Sequence, residues 1–187
     1  MLLLVLGVLV WSLVHLFPCV MPNKRNRLND SMGNKYQGLF ALTIVLSIVF
    51  MVFGWRHTVP EYVYNPPAWG RHLTMLLVFI AVVLFGAASA PSRIKQWIRH
   101  PMLIGVLVWA LAHLLANGDS RSVVLFGGML IWSVLSVFFI NRRDGVWEKP
   151  VQPEGWVPDI KLLVISLVIY IVLIFLHPYF SGIPLMV

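Results

Sequence analysis

The chain has 187 residues, of which 59% are hydrophobic and 11% charged, too little polar surface to coat a water-soluble globule of this size. Its formal net charge of +7 comes from lysines and arginines set in short segments between apolar runs rather than along one face, which speaks against nucleic acid as a partner. The lone cysteine, Cys19, excludes an intramolecular disulfide, and no Cys/His zinc spacing occurs.

Six apolar runs follow in chain order. Leu2 to Val20 comes first; it lacks the basic start and A-x-A site of a signal peptide and reads as an uncleaved span. Gly38 to Trp55, Trp69 to Ala88, Pro101 to Ala116, Val123 to Ile140 and Ile160 to Leu176 complete the set. Each lies near the roughly 20 residues that carry a helix across a bilayer core, the fourth and sixth at the short end. Helices are expected, because strands of a membrane barrel would alternate in polarity over about ten residues. The fold class is thus all-α: a polytopic membrane bundle of six transmembrane helices in a single domain, residues 1–187.

Alternate loops carry unequal charge. One side holds Lys24, Arg25, Arg27, Lys35, Arg93, Lys95, Arg99, Arg142, Arg143, Lys149 and Lys161, eleven cations, while the other holds Arg56, Arg71 and Arg121. The positive-inside rule makes the first side cytoplasmic and places both termini outside, on the periplasmic face of a bacterial inner membrane.

The chain also repeats itself. Gly7 to Leu16 reads GVLVWSLVHL and Gly105 to Leu114 reads GVLVWALAHL, identical at eight of ten positions, including a Gly, a Trp and a His. Leu39, Phe40, Ser47, Phe53 and Arg56 then align with Leu125, Phe126, Ser133, Phe139 and Arg142, and Trp69 with Leu76 to Val78 matches Trp156 with Leu162 to Val164. Three spans per unit is an odd number, so two units in series run in opposite directions. That is a candidate 3+3 inverted repeat, with halves 1–90 and 99–187 and a site between them.

Ionisable side chains inside a span are functional candidates. His15 and His113 lie within apolar runs, each four residues after a Trp on the same helical face. Neutral imidazole binds haem iron or copper, and haem suits an apolar bundle. His15 and His113 differ by about 10 Å in depth, so both must lean toward the midplane to clamp one iron; His72 lies nearer in depth to His113 and competes with His15. Interface positions suit His57 and His177. Arg142 and Arg143 are candidates for neutralising haem propionates or lipid phosphates, besides their topological role. Asp119 reads as a cap for the fifth helix, with orientation of an imidazole as the alternative. No acid lies within a span, which weakens an ion-coupled transporter, and no P-loop, G-x-S-x-G, H-E-x-x-H or dinucleotide fingerprint is present.

The WSLVHLFP start, the stretch from Arg99 to Asp119 and Asn141-Arg142-Arg143-Asp144 together resemble the NnrU family of bacterial membrane proteins over nearly the whole chain. That resemblance implies a context of nitric oxide and nitrite metabolism. The chain is also similar to the plant 15-cis-zeta-carotene isomerase group, b-haem membrane enzymes that change the geometry of a polyene double bond. By that resemblance His15 and His113 match the axial ligands, and His57, His72 and His100 fall at matching positions. Where those enzymes carry a cysteine three residues before the second ligand, this chain has Ala110. The Arg99-His100-Pro101 element is similar to that of isoprenylcysteine-type methyltransferases, without their following aromatic. The expected function is therefore a membrane protein binding haem b that acts on a lipophilic polyene-like molecule or senses nitric oxide, with lipid as its surroundings. The alternative is a non-enzymatic membrane factor for assembly or regulation of denitrification enzymes.

Overall fold

The structure is a computed structural model whose described residues are 1–182; residues 183–187, the end of the expected second half, lie outside them. Eight α-helices occur among the described residues: α1 (Leu2–Val20), α2 (Pro22–Met32), α3 (Asn34–His57), α4 (Gly70–Ser89), α5 (Pro101–Ala116), α6 (Ser120–Ser122), α7 (Gly128–Asp144) and α8 (Val157–Ser181). A five-residue π-helical segment, Val123–Gly127, joins α6 to α7 without a break. The expected apolar runs are all helical. Five stretches are long and apolar enough to cross a membrane: Leu2–Val20, Asn34–His57, Gly70–Ser89, Ser120–Asp144 and Val157–Tyr179. The sixth, α5, has 16 residues and spans about 24 Å.

Contacts between helix ends show the alternation of direction. At one end the Met1 amino group donates to Thr58 Oγ1 at 2.5 Å, and Tyr62 and Asp119 form an isolated antiparallel bridge. At the other, His100 Nε2 lies 2.9 Å from Asn141 Oδ1, and Ser92 Oγ donates to Asp159 Oδ1 at 3.0 Å. The second end gathers the segments richest in lysine and arginine.

α1 packs against α3, α4 packs against α5, and α7 lies between these pairs, touching α1 and α5; α8 packs on α4. The α1–α3 approach is close because a glycine stands at each contact. A Cβ on Gly7 would fall 2.8 Å from the Ser47 carbonyl oxygen, and one on Gly54 would fall 2.6 Å from Leu4 Cα. Small residues serve this purpose in lipid, where association rests on packing rather than on expulsion of water. The surface is apolar to a degree that water would not tolerate. Leu39, Leu42 and Val45 on α3, and Val164, Ile165, Val168 and Phe175 on α8, are all more than half exposed, a broad belt matched to acyl chains.

One helix was not expected. The sequence reads residues 22–32 as a polar loop, yet they form α2, with Pro22 in its first turn and Gly33 at φ +54° closing it. Proline is pre-set for a first helical turn and lacks an N–H that would go unpaired there, which explains the start. The π segment also escapes hydropathy, since an apolar run looks the same whichever carbonyl each N–H chooses.

Candidate functional site

Trp11 and His15 sit one turn apart on α1, and Trp109 and His113 sit one turn apart on α5. A helix brings residues four apart together, so each imidazole meets its own tryptophan. His15 Nδ1 lies 2.8 Å from the Trp11 carbonyl oxygen, and His113 Nδ1 lies 2.8 Å from that of Trp109. A carbonyl only accepts, so in the neutral ring Nδ1 carries the proton and Nε2 presents its lone pair. Neither Nε2 makes a hydrogen bond among the described residues.

The likeness extends to neighbouring helices. Phe40 faces the His15 ring with centroids 5.8 Å apart, and Phe126, its counterpart in the repeat, stacks on His113 at 4.4 Å. Ser47 and Ser133, another aligned pair, are both fully buried. Each donates to the carbonyl three residues back, at 2.7 and 2.8 Å. Helix pairing matches only in part: α1 packs on α3 as α5 packs on α7, but α4 packs on α5 whereas its counterpart α8 packs on α4.

Both imidazoles border one aromatic core. Trp132, on α7, has its ring 5.3 Å from His15 and 5.7 Å from Trp11. Phe126, on the π segment, touches His113, Trp109 and Trp55. Phe126, Met129 and Trp132 are buried in one cluster with Ala110, and Trp11 and Trp109 pack on it. The two histidines thus meet different aromatic members of one cluster, His15 meeting Trp132 and His113 meeting Phe126.

Two polar atoms in this core lack partners among the described residues. Trp11 Nε1 and Trp132 Nε1 are buried indole N–H groups with no acceptor. Each unpaired donor costs about 1–3 kcal/mol, and lipid supplies no water to relieve it.

The remaining candidates fall elsewhere. His72 is exposed on α4, while Gly70 and Thr74 of that helix face α5; Thr74 Oγ1 donates to the Ala112 carbonyl at 2.6 Å. His57 is exposed, 2.9 Å from the Phe53 carbonyl, and His100 bonds Asn141. Arg142 is exposed, while Arg143 pairs with Asp144 at 2.6 Å and approaches Cys19 Sγ at 4.0 Å. Asp119 caps: its Oδ1 accepts from Ser122 N at 3.1 Å. No group of three or more His, Cys, Asp or Glu side chains capable of holding a metal occurs among the described residues.

At the α5 end near His113, residues 59–69 form a strap. Val63 N and Tyr64 N both donate to the Gly118 carbonyl, at 2.9 and 3.1 Å. The Tyr64 hydroxyl donates to the carbonyls of Leu114 and Asn117, which the end of α5 leaves without intrahelical partners. Burial, helped by the negative charge of Asp119, pushes the Tyr64 phenol above its usual range.

Sequence reasoning found both imidazoles but missed the cage around them. Phe40 and Phe126 were visible as aligned positions, a signal that they share a role. Trp132 has no aromatic counterpart, since Leu46 stands at the matching place, and nothing in the sequence singles it out. A family model described as NnrU protein matches residues 3–185. No curated protein and no solved structure matches the chain.

Proposed function

The chain belongs to the NnrU family, and from that premise we propose that it is an integral membrane protein of the bacterial inner membrane that binds haem b through His15 and His113. The observation that carries this reading is the matched pair of intramembrane imidazoles, each with Nδ1 tied to its own helix and Nε2 unused. This is how metal-binding histidines are oriented, since the bond at one nitrogen fixes the tautomer that leaves the other free to ligate. The unpaired indoles of Trp11 and Trp132 support a bound group beside His15. Haem would supply the redox and gas-binding chemistry that no side chain here provides. The chain's own residues hold and orient the imidazoles and exclude water.

Haem held by both imidazoles would need room beside Phe126, Met129 and Trp132, the buried side chains of the cluster that the imidazoles border. Arg143, beyond His15, is the cation that would neutralise propionates, whereas Arg142 is exposed and His72 is the alternative ligand to His15. In this reading both termini are periplasmic, and the ligand is nitric oxide or a lipophilic polyene-like molecule, as the resemblance implies. The second reading, a non-enzymatic factor for denitrification enzymes, is favoured by the same closed packing, in which imidazoles only fill space.

The experiment is to purify the full chain, supply haemin and record the absorbance spectrum together with tryptophan fluorescence. Haem binding gives a Soret band that His15→Ala and His113→Ala each abolish, with quenching of Trp132 as the core opens. A folded protein that stays colourless and keeps its fluorescence overturns the haem reading and leaves the second.

A further inference from the structure

A cleft of about 530 Å³ opens where the end of α1, α2, the start of α3 and the end of α7 meet. Arg25, Tyr36, Gln37 and Arg143 contribute polar groups to its lining, and Pro18 and Phe40 contribute apolar ones; no carboxylate lines it. Asp144 occupies one edge of the Arg143 guanidinium, through Nε at 2.6 Å and Nη2 at 3.2 Å. Among the described residues Nη1 has only the weak contact with Cys19 Sγ. Arg25 spends one donor on Asn26 Oδ1 at 3.1 Å, and a guanidinium carries five. The Tyr36 phenol and the Gln37 amide make no hydrogen bond among the described residues.

Apart from the imidazole ligation, and with Arg143 given to lipid rather than to a propionate, we infer that this cleft binds the phosphate head group of an anionic membrane lipid. Two guanidiniums with spare N–H groups, a phenol and an amide form a donor set for an oxyanion. The apolar half decides the kind of phosphate. Phe40 follows Leu39 on α3, where Leu39 and Leu42 are 54% and 55% exposed. A free phosphate would leave those surfaces unused, while a lipid lays its chains along them. The cleft lies at the bundle end that also carries Lys24, Arg27 and Lys35, where anionic head groups concentrate.

The test follows thermal unfolding of the full chain in mild detergent during titration with dioleoylphosphatidylglycerol, dioleoylphosphatidylcholine or inorganic phosphate. Phosphatidylglycerol stabilises the protein and binds at least about tenfold more tightly than phosphatidylcholine. Arg25→Gln and Arg143→Gln each weaken it about tenfold, the equivalent of one charge-assisted hydrogen bond. Arg27→Gln, on the same helix but outside the cleft, leaves affinity within about twofold. If Arg143→Gln does not fold, Arg25→Gln on exposed α2 decides the matter alone. Equal binding of phosphatidylcholine overturns the proposal, as does an equal loss in Arg27→Gln, which would mean diffuse surface charge. Inorganic phosphate that stabilises as well as the lipid overturns the choice of ligand.

Discussion

The closeness of α1 and α3 makes a sharp prediction at Gly54. A methyl group there would stand 2.6 Å from Leu4 Cα and 2.8 Å from Leu4 Cβ, and nearer still to the Leu4 nitrogen. Ordinary carbon contacts fall near 3.5–4.0 Å, so α1 must retreat by about 1 Å, and backbone cannot rotate aside as a side-chain tip can. A gap of that size forfeits a quarter to a half of each van der Waals well along the seam, and the same movement pulls the Met1 amino group from Thr58. Overpacking of this kind costs about 1–3 kcal/mol, set against about 1 kcal/mol gained from alanine's better helix propensity. Gly54→Ala should therefore lose up to about 2 kcal/mol net. Gly38→Ala on the same helix meets nothing within 4 Å and should be neutral or gain up to about 1 kcal/mol. Reversible unfolding in mixed detergent micelles, followed by circular dichroism as the dodecyl sulfate fraction rises, measures both. Equal midpoints for the two variants would refute the packing argument.

Three other outcomes are expected. Tyr64→Phe leaves the Leu114 and Asn117 carbonyls without their donor and costs about 1–2 kcal/mol, seen as faster amide exchange at the end of α5. Because the folded-state value of the Tyr64 phenol is raised, its contribution is full below the ordinary tyrosine value of about 10 and is lost as pH rises toward the raised one. An alkaline fall in stability that is unchanged in Tyr64→Phe would contradict this. Asp159→Ala removes the oxygen that accepts from Ser92 Oγ and Arg93 N, both at 3.0 Å; α8 should loosen from the α4 turn, with a loss of about 1–3 kcal/mol and new exchange in residues 90–97. Asp119→Ala uncaps the fifth span and should lower the unfolding midpoint by about 1 kcal/mol, with Asp119→Asn retaining most of it.

Hydropathy was sufficient to place the spans, and for a physical reason: in lipid every backbone group must bond within its own segment, so an apolar run of this length has only the helix open to it. The Trp–His contacts were legible too, because residues four apart on a helix meet whatever the rest of the chain does. Asp119 revealed its capping role through its position ahead of Ser120. α2 escapes a reading by hydropathy because its residues, 22–32, are mostly polar. The aromatic cage of Phe40, Phe126 and Trp132 was missed because leucines and phenylalanines surround the spans on every face.

That last point divides the two kinds of knowledge. From the sequence alone come the all-helical membrane architecture, the asymmetry of basic residues between the two ends and the two imidazoles with their own tryptophans. Each is set by composition or by contacts within one helical turn. Only the tertiary structure decides that Trp132 and Phe126 meet those imidazoles in one core, that His72 is exposed, and that Arg25 and Arg143, distant in the chain, share a cleft. A side chain facing lipid and one facing another helix are equally apolar, so the pattern of residues does not say which face is which. Close packing of small residues such as Gly7 and Gly54 chooses the neighbours instead.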